Sequence, residues 1–137
     1  MPHAPAVPDW LTRAFDRLAV GDVDGWADIY APDAVHEIPF TADDVPVRLV
    51  GRETIAARLR EVYDADAGRL RFGSFDVLRL HEGGDEVVVE GVGRHRRAAD
   101  DTPVEIGCVW FITRHDGQVT HFRDYMNPAA LAAHQLM

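Results

Sequence analysis

Apolar residues recur at helical spacing through the first half of the chain and at a spacing of two through the second. Trp10, Leu11, Ala14, Phe15, Leu18 and Ala19 share one face of a first helix, with Asp9 as its N-cap and Gly21-Asp22 as its break. Val23, Trp26, Ala27 and Tyr30 continue the spacing in a second, short helix that Pro32-Asp33 ends. Residues 34–40 read as a strand, 41–46 as a polar loop and 47–50 as a second short strand. Gly51 then leads into a helix carrying Ile55, Ala56, Leu59, Val62 and Tyr63. From Leu70 the pattern changes to long antiparallel strands over 70–80, 86–98, 104–115 and 118–126. Their turns run through Glu82-Gly83-Gly84-Asp85, through 99–103, and through Asp116-Gly117, a two-residue hairpin signal. Asn127-Pro128 opens a terminal helix, with asparagine as cap and proline at the first position. Helices first and a curved antiparallel sheet of four long strands afterwards make an α+β architecture. Residues 1–8 read as a flexible lead-in and 9–137 as the domain.

Composition narrows the chemistry. A chain of 137 residues is one domain, long enough to bury a substantial core. All 14 basic residues are arginine, so a Schiff base, a pyridoxal enzyme and a P-loop each lack their lysine. Cys108 is the only cysteine, which excludes an intramolecular disulfide and a multi-cysteine zinc site. The net charge of −9 argues against nucleic acid, and the basic run Arg94, Arg96, Arg97 is followed at once by Asp100 and Asp101. No apolar stretch approaches the ~20 residues of a membrane span. Met1–Pro8 has no charged n-region or long apolar core, so a cytoplasmic location is expected. Acid–base work on Asp, Glu and His remains.

Strand alternation then points to a site. On the last strand Thr120, Phe122, Asp124 and Met126 form the more apolar set and face inward, against His121, Arg123 and Tyr125. A carboxylate between Phe122 and Met126 is raised from the ordinary Asp value of ~3.9, which makes Asp124 a candidate proton carrier. The alternative for Asp124 is an ion pair with an arginine or a solvated place at the mouth. The same logic points Ile106, Cys108, Trp110 and Ile112 inward, with Cys108 as a small buried apolar residue. Val89, Gly91, Gly93 and His95 face the same way, and the two glycines leave room for a cavity. His36 and Ile38 alternate with Glu37 on the first strand. No HxH, HxxxH or HxxE spacing joins these residues, and Ser74 has no nucleophile-elbow context, so neither a metal site nor a serine triad is expected.

The segments "YAPDAVHEIPF", "LVGRETIAARL" and "DGQVTHFRDYMNP", in that order, resemble a SnoaL-like polyketide cyclase domain. That family belongs to the nuclear-transport-factor-2-like, or ketosteroid-isomerase-like, superfamily. The resemblance implies a cone-shaped α+β domain, a deep apolar pocket and a homodimer through the outer sheet face. It also implies an acid–base role for Asp124, because limonene-epoxide-hydrolase-like and SnoaL-type members carry a catalytic aspartate in a similar last strand. The departures are informative too. The arginine and second aspartate that the epoxide hydrolases need fall on Gly91 and Gly93, and their water-positioning tyrosine and asparagine fall on His36 and Ile38. The helix-borne tyrosine of steroid isomerases has no counterpart at Trp10 or Phe15.

The resulting expectation is a cofactor-free cyclase or isomerase acting on a polyketide-like or aromatic natural-product intermediate. Asp124 would move a proton beside a carbonyl, and His95 or His36 would donate to the enolate oxygen. Trp110, Phe122, Met126, Cys108, Ile106, Trp26, Tyr30 and Ile38 would hold the substrate. A non-catalytic ligand-binding or assembly protein of the same fold is the competing class, and an epoxide or lactone hydrolase with a different acid–base set is a third. Neither nucleic acid nor a membrane is expected as a partner.

Overall fold

In the computed structural model, which describes residues 5–134, Leu11, Ala14 and Leu18 are buried on the inner face of α1 (Asp9–Ala19). Pro8 and not Asp9 occupies the N-cap, so Asp9 lies in the first turn, where its charge suits the helix dipole but its side chain closes no cap. Asp22 is a true cap: its carboxylate accepts from the Gly25 N–H at 2.9 Å and starts α2 (Val23–Ala27). That helix stops before Tyr30, and β1 (Tyr30–Ile38) begins there instead of at Ala34. The reason is Pro32, which disfavours the helical region for Ala31 and extends the chain ahead of itself.

The remaining elements are β2 (Val47–Val50), α3 (Arg52–Tyr63), β3 (Leu70–Gly83), β4 (Glu86–Arg97), β5 (Pro103–His115), β6 (Gln118–Met126) and α4 (Pro128–Ala133). Asp116 and Gly117 both take positive φ, +52° and +78°, as a type I′ turn demands. Asn127 caps α4 by accepting from the Ala129 N–H at 3.0 Å. Of the expected lead-in, residues 1–4 lie outside the described residues, while Val7 packs against the core. Among the described residues no helix is long and apolar enough to cross a membrane.

The strands make one open six-stranded sheet in the order β2-β1-β6-β5-β4-β3. Its four long strands are antiparallel, as the pattern predicts, but β1 joins beside β6 in parallel. That pairing sets His36 opposite Phe122. A second correction concerns Thr120. The β5–β6 register shifts between Thr113 and Arg114, so Val119 and Phe122, 0% and 1% exposed, both face the core although they are three residues apart. Thr120 is the extra residue of a bulge and is removed from the inner face. Beyond the bulge the predicted phase holds.

Candidate active site

Between the helices and the inner face of the sheet lies a cavity of about 130 Å³. Its wall takes Asp124, Phe122 and Met126 from β6, Trp110, Cys108 and Ile106 from β5, and His95 from β4. His36 and Ile38 come from β1, and Trp26 comes from α2. An apolar protein cavity of roughly 150 Å³ takes a benzene ring, so this space suits a body of about one six-membered ring.

Two expectations about the wall are corrected. Tyr30 is fully buried behind the wall and does not line it. Nor is the gap at Gly91 open: a Cβ there would stand 2.3 Å from the Phe75 ring and 2.4 Å from the Asp76 carbonyl. The missing side chain lets Phe75 lean across β4 and stack on Trp110, with ring centres 4.4 Å apart. At Gly93 a Cβ would meet His95 Nε2 at 2.6 Å, so this glycine makes room for the imidazole.

Asp124 lies between Phe122 and Met126 on the inner face of β6, and across the strand pair it faces Trp110. Burial pushes its carboxyl up to about 7; the Trp110 indole N–H, close by but outside hydrogen-bond geometry, pulls the other way. Its Oδ1 is buried without a hydrogen-bond partner, and no arginine pairs with it among the described residues. Trp110 Nε1 and His95 Nδ1 are likewise buried and unpartnered. His95 stacks on Tyr63 with centres 5.6 Å apart, and burial lowers its pKa to about 4.

His36 is fixed more firmly. It stacks on Phe122 at 4.8 Å, and its Nδ1 lies 3.0 Å from the Tyr30 hydroxyl. Burial, with His121 acting in the same direction, lowers the His36 pKa to about 4. Burial also pushes the Tyr30 phenol up, so it keeps its proton. We assign the Tyr30 hydroxyl as the donor to His36 Nδ1, which leaves the His36 proton on Nε2. Near pH 7 the site therefore holds one carboxyl close to half ionisation and two neutral imidazoles. Burial pushes the Cys108 thiol up as well, which suits a small apolar wall residue and not a nucleophile.

Several wall residues escape the strand-based reading. Tyr63, Leu59 and Arg58 come from α3, Phe15 from α1, Phe75 from within β3 and Arg69 from just before it. The α3 spacing marks Leu59 and Tyr63 as inward, but nothing local says that this face borders a cavity. Among the described residues, no three His, Cys, Asp or Glu side chains converge as a metal site needs.

The family model described as the SnoaL-like domain matches residues 11–122. The chain belongs to the SnoaL-like family. Among curated proteins, this SnoaL-like chain is 28% identical over 131 residues to an uncharacterised PhzA/B-like protein of Pseudomonas aeruginosa, covering 86% of this chain and 82% of that one. Among solved structures, a Bacillus subtilis protein provisionally named an isomerase superposes with a TM-score of 0.80 at 19% identity, over 93% of this chain and 90% of that one. An LEH-like epoxide hydrolase of M. tuberculosis gives 0.70 at 20% identity, over 93% and 86%. These structures share the fold of the SnoaL-like domain, and that fold is the α+β architecture expected from the sequence.

Proposed function

We propose that this SnoaL-like domain is a cofactor-independent acid–base enzyme, an isomerase or cyclase that moves a proton beside the carbonyl of a small substrate. The observation that carries the reading is the convergence of three unpartnered polar atoms, Asp124 Oδ1, Trp110 Nε1 and His95 Nδ1, on residues of one apolar cavity. An orphaned buried polar atom costs about 1–3 kcal/mol, and three around one space are explained by a ligand that completes them.

Asp124 is the proton carrier, since a carboxyl with a pKa of about 7 switches readily between acid and base at neutral pH. His36, neutral and held as the Nε2–H form, donates to the oxygen that becomes an enolate, with Trp110 and Tyr63 as further donors near Asp124. His95 supplies the last polar contact. Phe122, Met126, Ile38, Ile106, Cys108 and Trp26 hold the apolar body and exclude water. Ring closure within one molecule needs mainly orientation, which a close-fitting cavity provides. The substrate class fits an aromatic or polyketide-like intermediate, and the cavity volume favours a single ring over a polycyclic one. An epoxide hydrolase of the Asp-Arg-Asp type is disfavoured by Gly91 and Gly93 at the positions expected for its arginine and second aspartate.

Proton abstraction can be followed without knowing the natural substrate. Monocyclic ketones incubated in D2O should exchange the hydrogen beside the carbonyl in the presence of the protein. Asp124→Asn should slow that exchange by about 10²-fold or more. A folded Asp124→Asn variant that exchanges within twofold of the wild type would contradict the role.

A further inference from the structure

The polar inventory of the cavity is lopsided. Its wall carries the guanidinium groups of Arg58 and Arg69, the indole N–H of Trp110 and the imidazoles of His36 and His95, but Asp124 is its only carboxylate. Across the whole chain acids outnumber bases 23 to 14, so two guanidiniums for one carboxylate reverses the general balance. These two arginines are also uncommitted. Arg60, two residues along α3 from Arg58, is tied to Asp24 at 2.5 Å, and Arg94 is held between Asp76 and Glu105. Arg58 and Arg69 make no ion pair or side-chain hydrogen bond among the described residues, although α3 and the approach to β3 also carry Glu53, Glu61 and Asp64.

Position matters as much as number. Arg69 is exposed and Arg58 half-buried, yet both line the cavity, so they mark its opening. Asp124 lies inside, walled by Phe122, Trp110 and Met126. An apolar body with an oxyanion at one end would bury its ring among these side chains and leave the charge at the opening. There two forked guanidiniums meet it and water still reaches it.

We propose that the cavity takes a small ring-bearing carboxylate, its carboxylate held at the opening by Arg58 and Arg69 and its ring directed toward Asp124. The placement of the ring rests on the proton-transfer reading above, whereas the anion site rests on the two arginines and can fail by itself.

The test titrates the intact protein with benzoate and with benzamide, its uncharged near-isostere, at pH 6, followed by the fluorescence of the cavity tryptophans Trp26 and Trp110. Benzoate should bind at least tenfold more tightly than benzamide. The Arg58→Ala/Arg69→Ala double variant should lose that preference, its benzoate affinity falling to that for benzamide. Equal affinities in the wild type, a preference that survives in the double variant, or no binding of either compound would overturn the proposal. Should the double variant melt early, Arg69→Gln alone gives the same readout with less disturbance. If Asp124→Asn leaves the D2O exchange intact while the benzoate preference holds, the proton-transfer reading falls and the anion site stands. The opposite pair of results removes only the anion site.

Discussion

Asp124 sits where charging it is costly, and that cost sets both its chemistry and its effect on stability. Its folded pKa of about 7 lies above the unfolded value of ~3.9. Below pH ~4 both states are protonated and nothing is lost. Between about 4 and 7 the unfolded chain ionises first, so stability falls as pH rises through this window, by roughly 4 kcal/mol in all. The histidines run the other way: with folded values of about 4 against ~6.5 unfolded, His36 and His95 cost stability as pH falls from 6.5 to 4. Tyr30 acts on the polar part of the site through its bond to His36. Tyr30→Phe should therefore leave the cavity wall intact, cost about 1 kcal/mol for the lost bond, and free the imidazole to exchange between its two neutral forms. Long-range 1H–15N spectra of His36 check this: a single Nε2–H form in the wild type and a mixture in the variant. An unchanged single form in both would contradict the positioning role.

At the scale of elements, Phe75 reaches Trp110 only because β4 has no side chain at Gly91. Gly91→Ala should lower stability by about 1–3 kcal/mol in a urea titration, and adding Phe75→Ala should not restore it fully, because the Asp76 carbonyl obstructs as well. A fully stable Gly91→Ala protein would contradict that arrangement. This contact also shows what a sequence can and cannot reveal. The alternation along β4, β5 and β6 brings His95, Trp110, Cys108, Phe122, Asp124 and Met126 to one face, because a period of two is a local property. Which of two inward glycines is filled from the neighbouring strand is not local, and the gap at Gly91 reads as empty space. The parallel β1–β6 pairing joins segments far apart in the chain and leaves no short-range trace. The Thr120 bulge inverts one residue without a glycine to announce it. Arg58, Leu59 and Tyr63 lie on a helix whose pattern marks a buried face but not what that face borders.

At the scale of the whole molecule, helices cover the inner face of the sheet, and the outer face carries exposed Phe40, Leu78 and Phe111 beside Tyr125. Phe40 and Phe111 each approach Tyr125, with centres 5.4 and 5.7 Å apart, so these rings form one apolar patch. We propose that a second copy covers it. Sedimentation should give a dimer for the wild type and a monomer for Phe111→Asp, and a wild-type monomer at micromolar concentration would contradict the pairing. The cavity lies on the opposite, inner face of the sheet, away from that patch. Proton transfer in this protein depends on the state of one carboxyl inside that cavity. Its titration, followed by the 13C shift of the Asp124 side-chain carboxyl between pH 3 and 9, is the most direct measurement. The structure predicts a midpoint near 7, and a midpoint at or below 4 would contradict a proton carrier at this position.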